Sequence, residues 1–309
     1  MSNTLTWADL FANGSLIDLD VSIWDGLIRM RPEDLGIDRS EAVTAALTFG
    51  HQRLVPKETL QAIRDHAYKA RQAVDGYSIP FRLVPGSRYL PKLNREIVQA
   101  ELENLNNKFM AAVNQFLAEY EANKVKQIVV LREALREAAK DLTAVEPAMA
   151  RIEREYPTED QLRERFELSW KTYSIAAPQD GSANGNEGNV IKEELESMIT
   201  RLREQLVERV RSIVELATRG GKITTKTYNS TEALCAKLES LNVFGDEGLA
   251  SAIAAVRKAI AAASATDAPG TPLIQGLEQV EKELAKSRED AIAAAANRMA
   301  GTAERRFQL

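Results

Sequence analysis

Between Leu16 and Trp24 apolar and polar positions alternate, with Ile17, Leu19, Val21 and Ile23 interleaved with Asp18, Asp20 and Ser22. This period of two buries one face of a β-strand. Asp25-Gly26 follows, a dipeptide that tolerates positive φ at both positions of a tight turn, so Leu27 to Met30 is predicted to fold back as the second strand of a β-hairpin. The period then lengthens. Helices are predicted near Ser40 to Thr48 and over Pro56 to Val74, before Gly76, Pro80, Pro85, Gly86 and Pro91 interrupt regular structure.

From Lys92 to Glu146 there is neither Pro nor Gly, room for a continuous helix of about 80 Å. Its first half carries Val98, Leu102, Leu105, Phe109, Ala112 and Phe116 at steps of three and four. The second half carries a heptad-like run of Ile128, Leu131, Leu135, Ala138, Leu142 and Val145. Asn123, Lys124, Lys126 and Gln127 separate the two stripes, which predicts a slipped register with a bend or a change of partner there. Pro147 and Pro157 mark breaks, and Thr158 with Gln161 forms a capping box for a helix carrying Leu162, Phe166 and Trp170 to about Tyr173.

The stretch Pro178 to Asn189 reads as a flexible loop. A second long helix is lined by Ile191, Leu195, Met198, Leu202, Leu206, Ile213 and Ala217 and stops at Gly220-Gly221. Shorter helices over Thr231 to Leu241 and Gly248 to Ala265, a linker from Thr266 to Pro272 and a last helix over Leu273 to Ala300 complete the chain. The expected fold is mainly α: an elongated helical bundle or coiled-coil-like protein with a small α+β N-terminal cap containing the hairpin. It divides into a cap (1–91), a long-helix region (92–177), the loop (178–189) and a C-terminal helical region (190–309).

Composition sharpens this picture. With 44% hydrophobic, 28% charged and only 6% aromatic residues in 309, helices are favoured over sheets. A net charge of -5 argues against a uniformly basic nucleic-acid coat. Cys235 is the only cysteine, so no intrachain disulfide is expected, which fits a reducing compartment. No apolar run approaches the ~18 residues of a membrane span, and the N-terminus has no secretory pattern, so a cytoplasmic protein is expected.

Candidate chemistry is sparse. There is no phosphate-binding glycine loop, GxSxG or HExxH signature, and His51 and His66 are spaced for no known zinc motif. Asp18, Asp20 and Asp25 read as exposed strand acids. Asp180, Ser182, Asn184 and Gly185 copy the opening of a calcium loop, but Ile191 stands where its bidentate Glu belongs. No catalytic residue, metal or cofactor is expected, and Trp24 and Trp170 read as core anchors. The strongest asymmetry lies between His51 and Arg95, where Arg53, Lys57, Arg64, Lys69, Arg71, Arg82, Arg88, Lys92 and Arg95 oppose only Glu58, Asp65 and Asp75. Tyr68, Tyr77, Phe81 and Tyr89 lie among them, the pattern of a basic surface with stacking side chains for nucleic acid.

A resemblance adds to this reading. Ile23-Trp24, Leu54-Val55-Pro56, Tyr89-Leu90-Pro91 and Tyr156-Pro157-Thr158 with Phe166 and Trp170 resemble a family of unknown function found in phages and integrative elements. The likeness covers roughly Leu16 to Tyr173 and transfers no catalytic residue. Members are encoded near MoxR-type AAA+ ATPases and von Willebrand factor A-like proteins. The resemblance therefore implies a non-enzymatic interaction or adaptor component in a bacterial host, with such a protein as partner. The alternative is a nucleic-acid-binding accessory factor using the basic 51–95 region, and an enzyme of another kind ranks third. The amphipathic stripes are also compatible with a homo-oligomer.

Overall fold

The computed structural model describes residues 7–36, 50–175, 187–220, 224–264 and 271–304. The helix expected over Ser40 to Thr48, most of the 178–189 loop with its calcium-like opening, and residues 266–270 of the linker lie outside these. The described residues are mainly helical, as the content of Ala, Leu, Glu, Arg and Lys leads one to expect. The helices are α1 (Trp7–Ala12), α2 (Gln61–Tyr77), α3 (Arg95–Ala138), α4 (Val145–Arg154), α5 (Glu159–Arg163), α6 (Glu187–Thr218), α7 (Thr225–Leu241), α8 (Glu247–Ser264), α9 (Thr271–Lys286) and α10 (Arg288–Glu304). Among the described residues six strands accompany them: β1 (Gly14–Ser22), β2 (Leu27–Arg29), β3 (His51–Arg53), β4 (Ile79–Pro80), β5 (Arg88–Pro91) and β6 (Glu167–Tyr173).

The alternating segment is β1, but it forms no hairpin with β2. It lies in a four-stranded sheet of order β4-β5-β1-β6, while β2 pairs antiparallel with β3 in a separate sheet. The turn signal is satisfied otherwise. Asp25 Oδ1 accepts the Leu27 N–H at 2.9 Å, Gly26 takes φ +71°, and the Gly26 carbonyl accepts the Leu54 N–H at 2.8 Å. The corner thus directs the chain to β3 instead of back along β1.

Further expectations change. Helix α3 is unbroken through Asn123, which is itself buried, but ends at Ala138 after 44 residues, about 66 Å. The stripe fails there, since Ala138 and Leu142 are exposed. The Lys140 N–H leaves the helix for the Leu35 carbonyl at 3.0 Å, and Asp141 Oδ1 caps a new turn through the Thr143 N–H at 2.9 Å. Pro147 breaks nothing, because it sits in the first turn of α4, where a missing N–H has no partner to lose. The Thr158–Gln161 capping box is formed, yet α5 stops at Arg163 and Glu167–Tyr173 becomes β6. The last predicted helix is two, α9 and α10, divided at Ser287.

The chain forms two compact units, each assembled from separated stretches: residues 1–18, 73–99 and 170–309 in one, and 19–72 and 100–169 in the other. In the first, the apolar faces of α6 to α10 close on Leu10, Leu16, Ile79, Phe81 and Tyr89 to make one core. Tyr89 is fully buried and donates to the Leu10 carbonyl at 3.0 Å. Its ring runs so close to Gly14 that a Cβ there would stand 2.4 Å from Cζ, so β1 must begin with glycine. In the second unit Trp24, Phe116, Tyr120 and Phe166 form an aromatic cluster with centroids 5.6 to 6.2 Å apart. Tyr120 donates to the Pro157 carbonyl at 2.9 Å, and Asp34, almost wholly buried, is held by the Arg151 guanidinium, with Nε 3.0 Å from Oδ1.

Candidate functional site

The basic residues singled out in the sequence fall in both units. Arg53 at the end of β3, Lys57, and Arg64, Lys69 and Arg71 on α2 belong to one unit, and Arg82, Arg88, Lys92 and Arg95 to the other. Arg53, Lys57, Lys69 and Arg71 are exposed. Arg64 is half-buried and donates to the Asp25 carbonyl at 3.1 Å. His66, with burial as the main cause and Lys69 and Lys108 nearby, is held below its ordinary pKa. Of the interleaved aromatic residues, Tyr68 is open to solvent at 60% exposure, but Phe81 and Tyr89 lie in the core and offer no stacking face.

The Arg88 guanidinium is engaged within its own unit. Register places it opposite Pro80, and its Nε donates to Ser78 Oγ at 2.8 Å, a terminal nitrogen donates to the Ser78 carbonyl at 3.0 Å, and the other pairs with Asp75 at 3.1 Å. The fold instead gathers charges the sequence keeps apart. The Glu194 carboxylate of α6 accepts the Arg82 N–H at 2.8 Å. Burial pushes its pKa up, against the opposing fields of Arg82 and Arg201. Lys237 of α7 is depressed by burial and then by Arg88. Arg201 and Lys237 thus join Arg82 and Arg88 across more than a hundred residues of sequence.

A concave surface runs along α6 and α9. A groove of about 360 Å³ is lined by Thr200, Arg203, Glu204, Val207, Glu208, Arg211, Glu281, Leu284, Ala285 and Arg288. Val207, Leu284 and Ala285 give it an apolar strip, and the rim carries both signs of charge, including the Arg211–Glu281 pair. It adjoins a second hollow of about 430 Å³ that shares Thr200, Glu204 and Arg288 and adds Arg82, Glu193, Glu196, Ser197 and Arg201. Arg288 reaches Glu196 at 3.1 Å on that rim.

The sequence reading named none of these groove residues. One signal was present: Arg203 stands four residues after Ile199 and three before Leu206, on the apolar stripe of α6, where a charge must find a partner.

Asp18 is half-buried and accepts from Tyr173 Oη at 3.0 Å, which in turn lies 2.6 Å from Ser87 Oγ. Asp20 and Asp25 are exposed. Among the described residues no three His, Cys, Asp or Glu side chains gather as a metal site, and no helix is long and apolar enough to cross a membrane. Trp24 is buried, while Trp170 is half-buried beside a small cavity lined also by Ile17, Leu90 and Val98.

A family profile described as "Protein of unknown function (DUF3150)" matches residues 12–278. The chain belongs to the DUF3150 family. The match takes in both units and extends well beyond the Leu16 to Tyr173 stretch that carries the sequence resemblance, through α6, α7 and α8 into α9. No curated protein and no solved structure matches the chain.

Proposed function

We propose that this DUF3150 protein is a non-enzymatic adaptor of a phage or mobile element that works with a MoxR-type AAA+ ATPase or its von Willebrand factor A-like companion. The observation that carries this reading is the α6–α9 groove. Its apolar strip of Val207, Leu284 and Ala285 between charged rims suits an amphipathic helix laid into a groove, where apolar side chains at steps of three and four provide the anchors. The mixed rim would set the direction in which that helix lies. The test is binding of a purified MoxR-type ATPase from the same host to the full chain, after nuclease treatment. Wild-type chain binds and Val207→Asp weakens binding at least roughly tenfold, about 1.4 kcal/mol; equal binding by both removes the groove from the interaction.

A second reading, an accessory factor for nucleic acid, is favoured by the exposed Arg53, Lys57, Lys69 and Arg71. Its mark is an affinity for DNA that falls steeply with salt, because each phosphate contact releases counterions.

A further inference from the structure

Helix α3 is apolar on two faces between Ala111 and Val129. One face, with Val113, Phe116, Leu117 and Tyr120, is buried. On the other, Ala111, Gln115, Ala118, Ala122, Val125 and Val129 are all exposed, Val125 by 61% and Val129 by 52%. Their spacing is an unbroken alternation of four and three, the a/d seam of a coiled coil, with Gln115, Ala122 and Val129 at a and Ala111, Ala118 and Val125 at d. The seam spans about 27 Å of helix. Small residues along most of it allow a close approach of backbones, and the valines close one end.

We propose that a second copy of this chain packs on this face, α3 against α3, in parallel and in register. Two features select that occupant and that direction. In the parallel arrangement Gln115 faces its own copy, as polar residues at an a position do in parallel dimers, and the two amides can hydrogen-bond. Within one chain Gln115 Nε2 already donates to Glu119 at 3.2 Å, which orients the side chain. An antiparallel arrangement sets Gln115 against Val125 and leaves its amide facing methyl groups. Charge agrees. Parallel pairing brings Glu121, at a g position, opposite Lys126 of the second copy, at e, twice over by symmetry. Antiparallel pairing about the middle of the seam sets Glu119 against Glu119 and Glu121 against Glu121. The face lies in a different unit from the α6–α9 groove, so the two inferences stand independently.

Sedimentation of the full chain over a range of concentrations gives the first test. A dimer that grows with concentration, and a dissociation constant raised at least roughly tenfold by Val125→Asp, support the seam; a chain that is monomeric throughout overturns it. Direction is read from disulfide formation in single variants. Ala118→Cys and Val129→Cys each cross-link to themselves in the parallel dimer, and these conservative changes remain informative if the Asp variant does not fold. Cross-linking only in a mixture of Ala118→Cys with Ala122→Cys overturns the parallel register. The native Cys235, buried within its own unit, serves as the uncross-linked control.

Discussion

Arg203 and Asp246 face each other as a two-point ion pair, Nε to Oδ2 at 2.6 Å and a terminal nitrogen to Oδ1 at 2.7 Å, with side chains only 4% and 2% exposed. Their remaining hydrogen-bonding groups are engaged as well. Arg203 also donates to the carbonyls of Leu284 at 2.5 Å and Ser287 at 3.2 Å, where α9 gives way to α10. Asp246 Oδ1 accepts the Leu249 N–H at 3.0 Å and so caps α8. One buried pair therefore ties α6, the start of α8 and the α9–α10 junction.

Breaking that pair from one side leaves a charge buried without its partner, at a cost of about 3–5 kcal/mol. Asp246→Leu and Arg203→Met are each expected to lose stability of that order in urea unfolding. Arg203→Met with Asp246→Leu is expected to be less damaging than the two single losses added together, because no orphan charge remains. Strict additivity in the double-mutant cycle would show that the pair contributes no coupling.

Gly248 sits against the same knot. A Cβ on it would lie 2.7 Å from Ser287 Oγ and 2.9 Å from an Arg203 nitrogen. Gly248→Ala is expected to destabilise the chain by about 1–3 kcal/mol, the usual cost of overpacking. Adding Ser287→Ala, which removes the nearest atom, should recover part of the loss. A Gly248→Ala chain that melts like wild type would mean the contact relaxes freely.

Burial pushes the Cys235 thiol up to about 11 from an ordinary 9.0. The folded chain therefore holds its proton over a range where the unfolded chain releases it, and unfolding is favoured as pH rises. Stability from this group is fully present below pH 9 and is lost between pH 9 and about 11. Chemical denaturation at pH 8, 9.5 and 11 should show wild type losing more stability than Cys235→Ala over the upper interval. Parallel curves would contradict the assignment. A thiol reagent at pH 8 is expected to modify the unfolded chain far faster than the folded one.

Arg88 and its neighbours separate structure from surface. Arg88→Ala takes a half-buried guanidinium away from Ser78 Oγ, the Ser78 carbonyl and Asp75, and a loss of about 1.5–3 kcal/mol is expected. Lys69→Glu with Arg71→Glu, both exposed, should cost under about 0.5 kcal/mol per site. If nucleic acid binds, the Lys69/Arg71 variant reduces the salt slope of binding with its fold intact. An unchanged slope would remove these two from any phosphate contact.

A recombinant fragment of residues 187–309 is expected to be insoluble or to expose apolar surface to a dye, because it lacks Leu10, Leu16, Ile79, Phe81 and Tyr89 from its core. A cooperative melt of the fragment alone would show that α6 to α10 need none of them.

Helices were legible wherever a three-to-four stripe was long, as in α3 and α6, and where end signals stood clear, as at Thr158 and at Gly220, which takes φ +75°. Partners of strands were not. The residues that pair with Gly14 to Ile17 lie some seventy positions later, at Arg88 to Pro91, and no local pattern announces a pairing so remote. The stretch after Leu162 was ambiguous for a different reason. Leu162, Phe166 and Trp170 fall at steps of four, while Glu167 to Tyr173 also alternates, and tertiary pairing decided for β6. Of the basic stretch, a charge count could not reveal that Arg88 is tied to Ser78 and Asp75. Nor could it reveal that Arg82 meets Arg201 over Glu194, since both depend on contacts between distant segments.

The chain passes between its two units at residues 18/19, 72/73, 99/100 and 169/170. During synthesis this gives the units an order. The unit made from residues 19–72 and 100–169 has all its parts once residue 169 has left the ribosome. Leu10 and Leu16 complete their packing only once α6 to α10 have emerged, because much of their core lies there. A chain cut off before α6 therefore loses more than its helices: Leu10 and Leu16 keep the β5 side of their core and lose the helical side.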